Sequence, residues 1–268
     1  MMAKGHIVSS ASAWLIGCAA VDLAHPLHAG PVVAGAVIAS GFALVPDIDH
    51  PGSTVSRTLG PLTRSIAGLV ESGSSAVRRR SCRCCTTDTS GGHRTLTHTA
   101  AGAVATGLLV TGLVLWLGPV VTAVMVGFSA WLAAHTALPA RVRAELGDVL
   151  LPGKFRRLGR GAHRFAAAIG ALMLGGMFAV AALAGLDGLG GWWIGLAVGF
   201  GLLAHIGGDA MTHWGVPLCW PLPIRGCRWR CVGTPRWMRF RAGSRIERWL
   251  VTPLFAVAAL GSVWLLAT

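Results

Sequence analysis

Seven runs of mostly apolar residues, each near the length that crosses a bilayer, constrain this chain more than any other feature. About 20 apolar residues are enough, because a helix rising about 1.5 Å per residue must cover about 30 Å of hydrocarbon. The runs lie at about 7–23, 31–45, 99–117, 119–138, 165–186, 192–207 and 250–267. The first is the most polar, since it holds Ser9, Ser10, Ser12 and Asp22, and the second is short. Those serines also make the first run a poor signal core, so an uncleaved span is expected. Only Gly118 and Pro119 part the third run from the fourth, which predicts a tight turn.

The charges sort themselves around these runs. Lys4 precedes the first run, and the rest of the 23 Lys and Arg fall in the long segments at about 46–98, 139–164 and 208–249. The short segments between the other runs have none. With seven crossings, the N-terminus and all three long segments share one side, which the positive-inside rule makes the cytoplasm. A formal net charge of +13 would point to nucleic acid on a soluble chain. Here only 12% of residues are charged, about half the soluble norm, and basic loops that face anionic lipid account for the excess. Arg228-Trp229-Arg230 and the Arg/aromatic run from Arg236 to Arg241 fit interfacial anchoring equally well, so membrane lipids are the expected partner and specific nucleic acid is not. The expected fold is all-α, a polytopic membrane helical bundle of about seven transmembrane helices with basic cytoplasmic loops. It forms one domain over residues 1–268, with a flexible Ser-, Arg-, Gly- and Thr-rich insertion at about 72–92.

Six of the seven cysteines, Cys82, Cys84, Cys85, Cys219, Cys227 and Cys231, fall in expected cytoplasmic loops, where thiols stay reduced. Cys82, Cys84 and Cys85 with Cys227 and Cys231 offer thiolates from two loops, but not at a usual zinc-knuckle spacing. Whether they bind metal stays open at this point.

Ten histidines are many for so apolar a chain. His6 precedes the first run. Asp47-Ile48-Asp49-His50 closes the second, and His93-Arg94-Thr95-Leu96-Thr97-His98 opens the third. His205-Ile206-Gly207-Gly208-Asp209 closes the sixth, with His213 beyond it. All four groups fall at the cytoplasmic edge, although apolar runs and basic residues alone set that topology. His25 and His28 fall at the other edge without a carboxylate motif and, like His135 and His163, read as interface residues.

Imidazole and carboxylate are the ligands that suit zinc or manganese. His205 and Asp209 stand four apart, so on a helix they share a face. Asp47 and Asp49 alternate, so in an extended turn they project to one side. Thr95 or Thr97 is placed to cap the helix that follows. The candidate metal ligands are His6, Asp47, Asp49, His50, His93, His98, His205 and Asp209. They outnumber what one ion needs, which favours a centre of two or three ions of the kind that clamps a phosphoester. Arg94, between His93 and His98, is placed to neutralise developing charge on a substrate oxygen. His213 continues the face from His205, and its role stays open. Ionisable residues at the ends of apolar helices are costly and point to function.

These motifs carry a family resemblance. Gly5-His6, Leu44-Val45-Pro46-Asp47-Ile48-Asp49-His50-Pro51, His93-Arg94-Thr95-Leu96-Thr97-His98-Thr99, and His205 to Thr212 running into Gly215-Val216-Pro217-Leu218-Cys219-Trp220-Pro221 occur in family order, with Arg245-Ile246-Glu247-Arg248 before the last run. The chain resembles the YdjM-like membrane-bound metal-dependent hydrolases of bacterial inner membranes. The resemblance implies a multi-pass inner-membrane protein that hydrolyses its substrate at a His/Asp centre. A distant similarity to zinc-dependent phospholipase C tilts the expected substrate towards phosphoesters. The insertion at about 72–92 is longer than the family pattern leads one to expect.

The function expected is therefore metal-assisted hydrolysis of a phosphoester or lipid-linked substrate at the cytoplasmic face. A divalent metal, zinc ahead of manganese, is the expected cofactor, and Asp47, Arg94 and Asp209 are the expected catalytic residues. Two other classes remain: a non-catalytic membrane protein with a structural metal site, and a metal or ion transporter. The transporter would need ligands deep in the membrane, where these runs have almost none. Substrate, metal identity, ion count and oligomeric state are left open by the sequence.

Overall fold

With so little charge and no water in hydrocarbon, the backbone must satisfy its own hydrogen bonds, and helices do that within one segment. The computed structural model describes residues 1–50, 52–57, 61–82, 94–150, 159–184 and 191–268. Its helices are α1 (Ala3–Asp22), α2 (Ala29–Phe42), α3 (Thr54–Arg57), α4 (Pro61–Ser81), α5 (Ala100–Leu117), α6 (Pro119–Ala137), α7 (Ala140–Leu150), α8 (Gly159–Ala184), α9 (Trp193–Ala210) and α10 (Thr252–Ala267). Short 3-10 turns cover Pro46–Asp49, Leu96–His98 and Arg236–Met238, and a π-turn over Glu247–Val251 leads into α10. Among the described residues no strand forms, only isolated bridges.

Six helical segments are long and apolar enough to cross a membrane: Ala29–Asp49, Ala100–Leu117, Pro119–Ala137, Ala166–Leu183, Trp193–Ala210 and Glu247–Ala267. The remaining expected span is α1. It is 20 residues long and packs along α2, α9 and α10. Its polarity has a structural reason. Ser12 Oγ donates to the carbonyl of Phe255, Ser10 Oγ to that of Gly201 at 3.5 Å, and Trp14 Nε1 to that of Val32 at 2.9 Å. All three serines are buried inside the bundle, where Ser10 and Ser12 donate to carbonyls of α9 and α10 and Ser9 to that of His6 in its own helix.

Helix α9 is central: Ile194, Ala197, Val198, Leu202 and Ile206 are buried against α1, α2 and α5. At the other extreme, α10 packs along α1 and buries only Ser262 completely, as expected for a helix with one side to lipid. The turn between α5 and α6 is as tight as the sequence predicts: Gly118 takes φ +69, which glycine adopts without penalty.

The expected flexible insertion is corrected in part. Residues 72–81 continue the amphipathic helix α4, whose last turn carries Arg78, Arg79 and Arg80, charges that complement the carbonyl end of a helix. The rest of that insertion, from Arg83 onward, lies outside the described residues.

Candidate metal centre

Four separate stretches bring ligand-type side chains to one end of the bundle. They are the start of α1, the Pro46–Asp49 turn, the Leu96–His98 turn and the last two turns of α9. Asp47, His98 and His205 form one group that could hold a metal ion, and His6, His205 and Asp209 form another. His205 belongs to both.

The ring nitrogens can be assigned from their partners. His205 Nδ1 lies 2.6 Å from the carbonyl oxygen of Ala43. A carbonyl only accepts, so Nδ1 carries the proton and Nε2 keeps the lone pair. The Thr97 hydroxyl donates its proton to Asp49 Oδ2 at 2.6 Å. Its oxygen then accepts from His98 Nδ1 at 3.0 Å, which again leaves Nε2 with the lone pair. These two Nε2 atoms face each other at 3.2 Å. Two facing lone pairs repel unless a proton or a cation sits between them.

Carboxylates complete the cage. Asp47 Oδ1 is 3.6 Å from His205 Nε2 and 3.8 Å from His98 Nε2, and Asp209 Oδ2 is 3.7 Å from His98 Nε2 and 3.9 Å from His205 Nε2. Tetrahedral bonds of about 2.0–2.1 Å place ligand atoms about 3.3 Å apart. The imidazole separation of 3.2 Å matches that spacing and the carboxylate separations of 3.6–3.9 Å are somewhat longer, so either three-residue group could hold a small divalent cation. His98 lies just outside the spanning segment. Burial pulls its pKa down, but hydrogen bonds to Asp47 and Asp49 and the charges of Asp49 and Asp209 lift it to about 9. A metal-free site therefore holds a proton that a cation must displace.

The two aspartates of the 46–49 turn diverge. The sequence suggests an extended turn with both on one side, but the turn is 3-10, with about three residues per revolution, so positions two apart point in different directions. Asp47 reaches the Nε2 side of His98, and Asp49 the Nδ1 side, where its Oδ2 is 3.7 Å from the ring nitrogen. Thr97 serves this relay and does not cap α5. The cap is Thr99, whose hydroxyl accepts from Gly102 N at 3.0 Å.

His6 stacks on His205 with ring centroids 3.8 Å apart. Its Nε2 lies 3.1 Å from the Met1 carbonyl and 3.4 Å from Asp209 Oδ1. Facing a carbonyl, Nε2 carries the proton, and in this arrangement His6 acts on Asp209 as a donor. The Met1 ammonium also meets Asp209 Oδ1, at 2.5 Å. Arg94 Nη2 holds the other oxygen, Oδ2, at 2.7 Å, and Arg94 Nη1 reaches Thr212 Oγ1 and the Gly215 carbonyl at 3.4 and 3.3 Å. Arg94 takes φ +54, a left-handed conformation that costs a non-glycine residue about 1–2 kcal/mol.

His50 is exposed, and its Nδ1 accepts from Gly52 N at 2.8 Å, so that nitrogen faces away from the cage. His213 is exposed beyond the end of α9. His93, Cys84 and Cys85 lie outside the described residues. Among the described residues no cysteine joins a metal-holding group. His98, His205 and Asp209 are at most 2% exposed, whereas the Asp47 side chain is 27% and that of Arg94 19% exposed. The cage therefore opens along Asp47 and Arg94.

Several supporting groups escaped the sequence reading. The Ala43 carbonyl carries no side-chain signal. Thr212 and Gly215 act through tertiary contacts across more than a hundred residues. Glu247, in the polar motif before the last span, is buried.

A family model described as YdjM inner membrane protein matches residues 1–139 and 160–268, and the chain belongs to that family. No curated protein and no solved structure matches.

Proposed function

We propose that this member of the YdjM inner membrane protein family is a metal-dependent hydrolase whose His/Asp centre lies at the cytoplasmic face and cleaves a phosphoester, membrane lipid or lipid-linked substrates included. One observation carries the reading: two imidazole lone pairs and two carboxylate oxygens converge at cation-binding spacing while one edge stays open through Asp47 and Arg94.

Asp47, His98, His205 and Asp209 would hold the ion, with zinc ahead of manganese for this nitrogen and oxygen set. A bound divalent cation supplies Lewis-acid polarisation of a phosphoryl oxygen and a lowered pKa for water. The chain's own groups do the rest. Arg94 offers a guanidinium beside the open edge to bind and orient phosphoryl oxygens. Asp47, the most exposed of the four, would leave the ion, free the fourth position for water and take that water's proton. Asp49 and Thr97 hold His98 by its Nδ1, and the Ala43 carbonyl holds His205 by its Nδ1, so neither ring turns.

Near-complete burial of three of the four ligands also suits a structural ion that ties α9 to the two turns. Four fixed protein ligands would close the site as in a structural one; the 27% exposure of Asp47, which gives that ligand room to leave, is what favours catalysis. Purified protein should hold zinc or manganese. Asp49→Ala or His98→Ala should lower that content and His28→Ala should not. Wild type should also hydrolyse at least one member of a panel of soluble and lipid phosphoesters. Metal-free protein with an intact fold would end the hydrolase reading. Metal without turnover on any panel member would favour the structural ion.

A further inference from the structure

We propose that Glu247 is a positioning residue of the metal centre: it ties the entry to α1 to the start of the last span and so fixes His6 against Asp209. The inference rests on the metal-centre reading above. Glu247 opens the π-turn before α10 and is 1% exposed. Its carboxylate faces backbone amides. Oε1 accepts from Met2 N at 2.6 Å and Oε2 from Gly243 N at 2.7 Å. The neighbouring Arg248 turns the other way and donates to the Gly243 carbonyl from Nε at 3.1 Å and Nη2 at 2.7 Å. The adjacent pair thus grips both polar groups of one peptide residue and, through Glu247, the residue that precedes α1.

Nothing else on Met2 does this work, because α1 begins without a side-chain cap of its own. A carboxylate at a helix N-terminus also meets the positive end of the helix dipole. From Met2 the consequence runs one turn. His6 N donates to the Met2 carbonyl at 3.1 Å, and the His6 ring stands against Asp209 Oδ1 and His205. Gly5 lies against the clamp: a Cβ there would come within 2.8 Å of Glu247 Oε1. This explains why Gly5-His6 at one end of the chain and Glu247 at the other belong to a single device.

Glu247→Gln removes the charge and sets an amide donor against the N–H of Met2 or Gly243. Zinc affinity, read by competition with a chromogenic chelator, should fall about 10–100-fold, the range for losing a group that orients a ligand. The cobalt(II)-loaded variant should show altered visible absorption, which a residue that only stabilised the fold would not change. In a His6→Ala background, Glu247→Gln should cost less than about twofold more, since both act on Asp209 through one path. Should Glu247→Gln fail to fold, Gly5→Ala presses on the same carboxylate more gently and should weaken zinc several-fold. Unchanged zinc affinity and cobalt spectrum in Glu247→Gln, or in Gly5→Ala where that variant decides, or fully additive losses with His6→Ala, would overturn the inference and leave the hydrolase reading standing. Failure of wild type to bind zinc or cobalt would overturn both.

Discussion

Two imidazoles that present lone pairs to each other at 3.2 Å need a positive charge between them, and that need sets the chemistry of each side chain around them. In the metal-free protein the charge is the proton on His98, whose pKa is raised to about 9 by Asp47 and Asp49 against the pull of burial. A raised pKa means the site is protonated throughout neutral pH, so metal and proton compete. Apparent zinc affinity should therefore climb by about tenfold per pH unit as pH rises towards about 9 and level off above it. Calorimetry in buffers of different ionisation heat should record about one proton released per zinc at neutral pH. An affinity flat between pH 6 and 8 would remove His98 from the ligands. Arg94 poses a different question, since a guanidinium cannot ligate a metal. It serves Asp209 with one nitrogen and Thr212 and Gly215 with another, a fork that lysine lacks. Arg94→Lys should keep metal and fold yet lose about 10²–10³ in turnover, the usual cost of one transition-state donor. Wild-type turnover in that variant would take Arg94 out of the catalytic set.

Helices set the distances between these side chains, and the close contact of α5 with α9 is where that can be tested. His98 leads into α5, and His205 and Asp209 lie on α9, so the spacing of α5 and α9 helps fix the imidazole separation. A Cβ at Gly195 on α9 would collide with Thr111 Oγ1 and the Gly107 carbonyl on α5, whereas one at Gly112 would meet open space. Gly195→Val should force the helices apart, destabilise the protein by about 1–3 kcal/mol and weaken zinc. Gly112→Val should do neither. Thermal unfolding in detergent, with and without zinc, separates the two variants, and an equal effect of both would break the link between helix spacing and site. Elements also decide what could be read in advance. His205 and Asp209 needed only a helix to share a face, so their pairing was legible from spacing. Asp47 and Asp49 needed a backbone conformation that spacing does not encode, and the 3-10 turn sends them to opposite nitrogens of His98. Pro46 at the first position of that turn was a hint. The helix through residues 72–81 was hidden because Ser, Gly and Arg lower mean hydropathy without breaking amphipathic order.

At the scale of the whole molecule, the centre itself constrains how the chain threads the membrane. His6 at the start of α1, Asp47 after α2, His98 before α5 and Asp209 at the end of α9 meet in one cluster, so these four chain positions lie at one level. Every Lys and Arg of the sequence falls before the first apolar run or in the three long segments, two of which carry Asp47, His98 and Asp209. One sidedness measurement therefore fixes the level of all four, and the positive-inside rule predicts that it will read cytoplasmic. Whether the chain crosses six or seven times depends on α1 alone, which falls short of the apolarity of the six clear spans. Ser10 and Ser12 are spent on carbonyls of α9 and α10 inside the bundle, and a 20-residue helix covers about 30 Å. Because α1 starts at the centre and α2 ends there, the 23–28 connection with His25 and His28 lies at the far end. Seven crossings follow. Reporters fused after Arg80, Arg157 or Arg239 should read cytoplasmic, and one fused after Thr268 should read outside. With the Arg239 reporter cytoplasmic, a cytoplasmic C-terminus would take α10 out of the membrane, whereas an outside N-terminus would take α1 out. An outside reading after Arg239 would put the centre on the opposite face, and its substrate would then have to come from outside the cytoplasm.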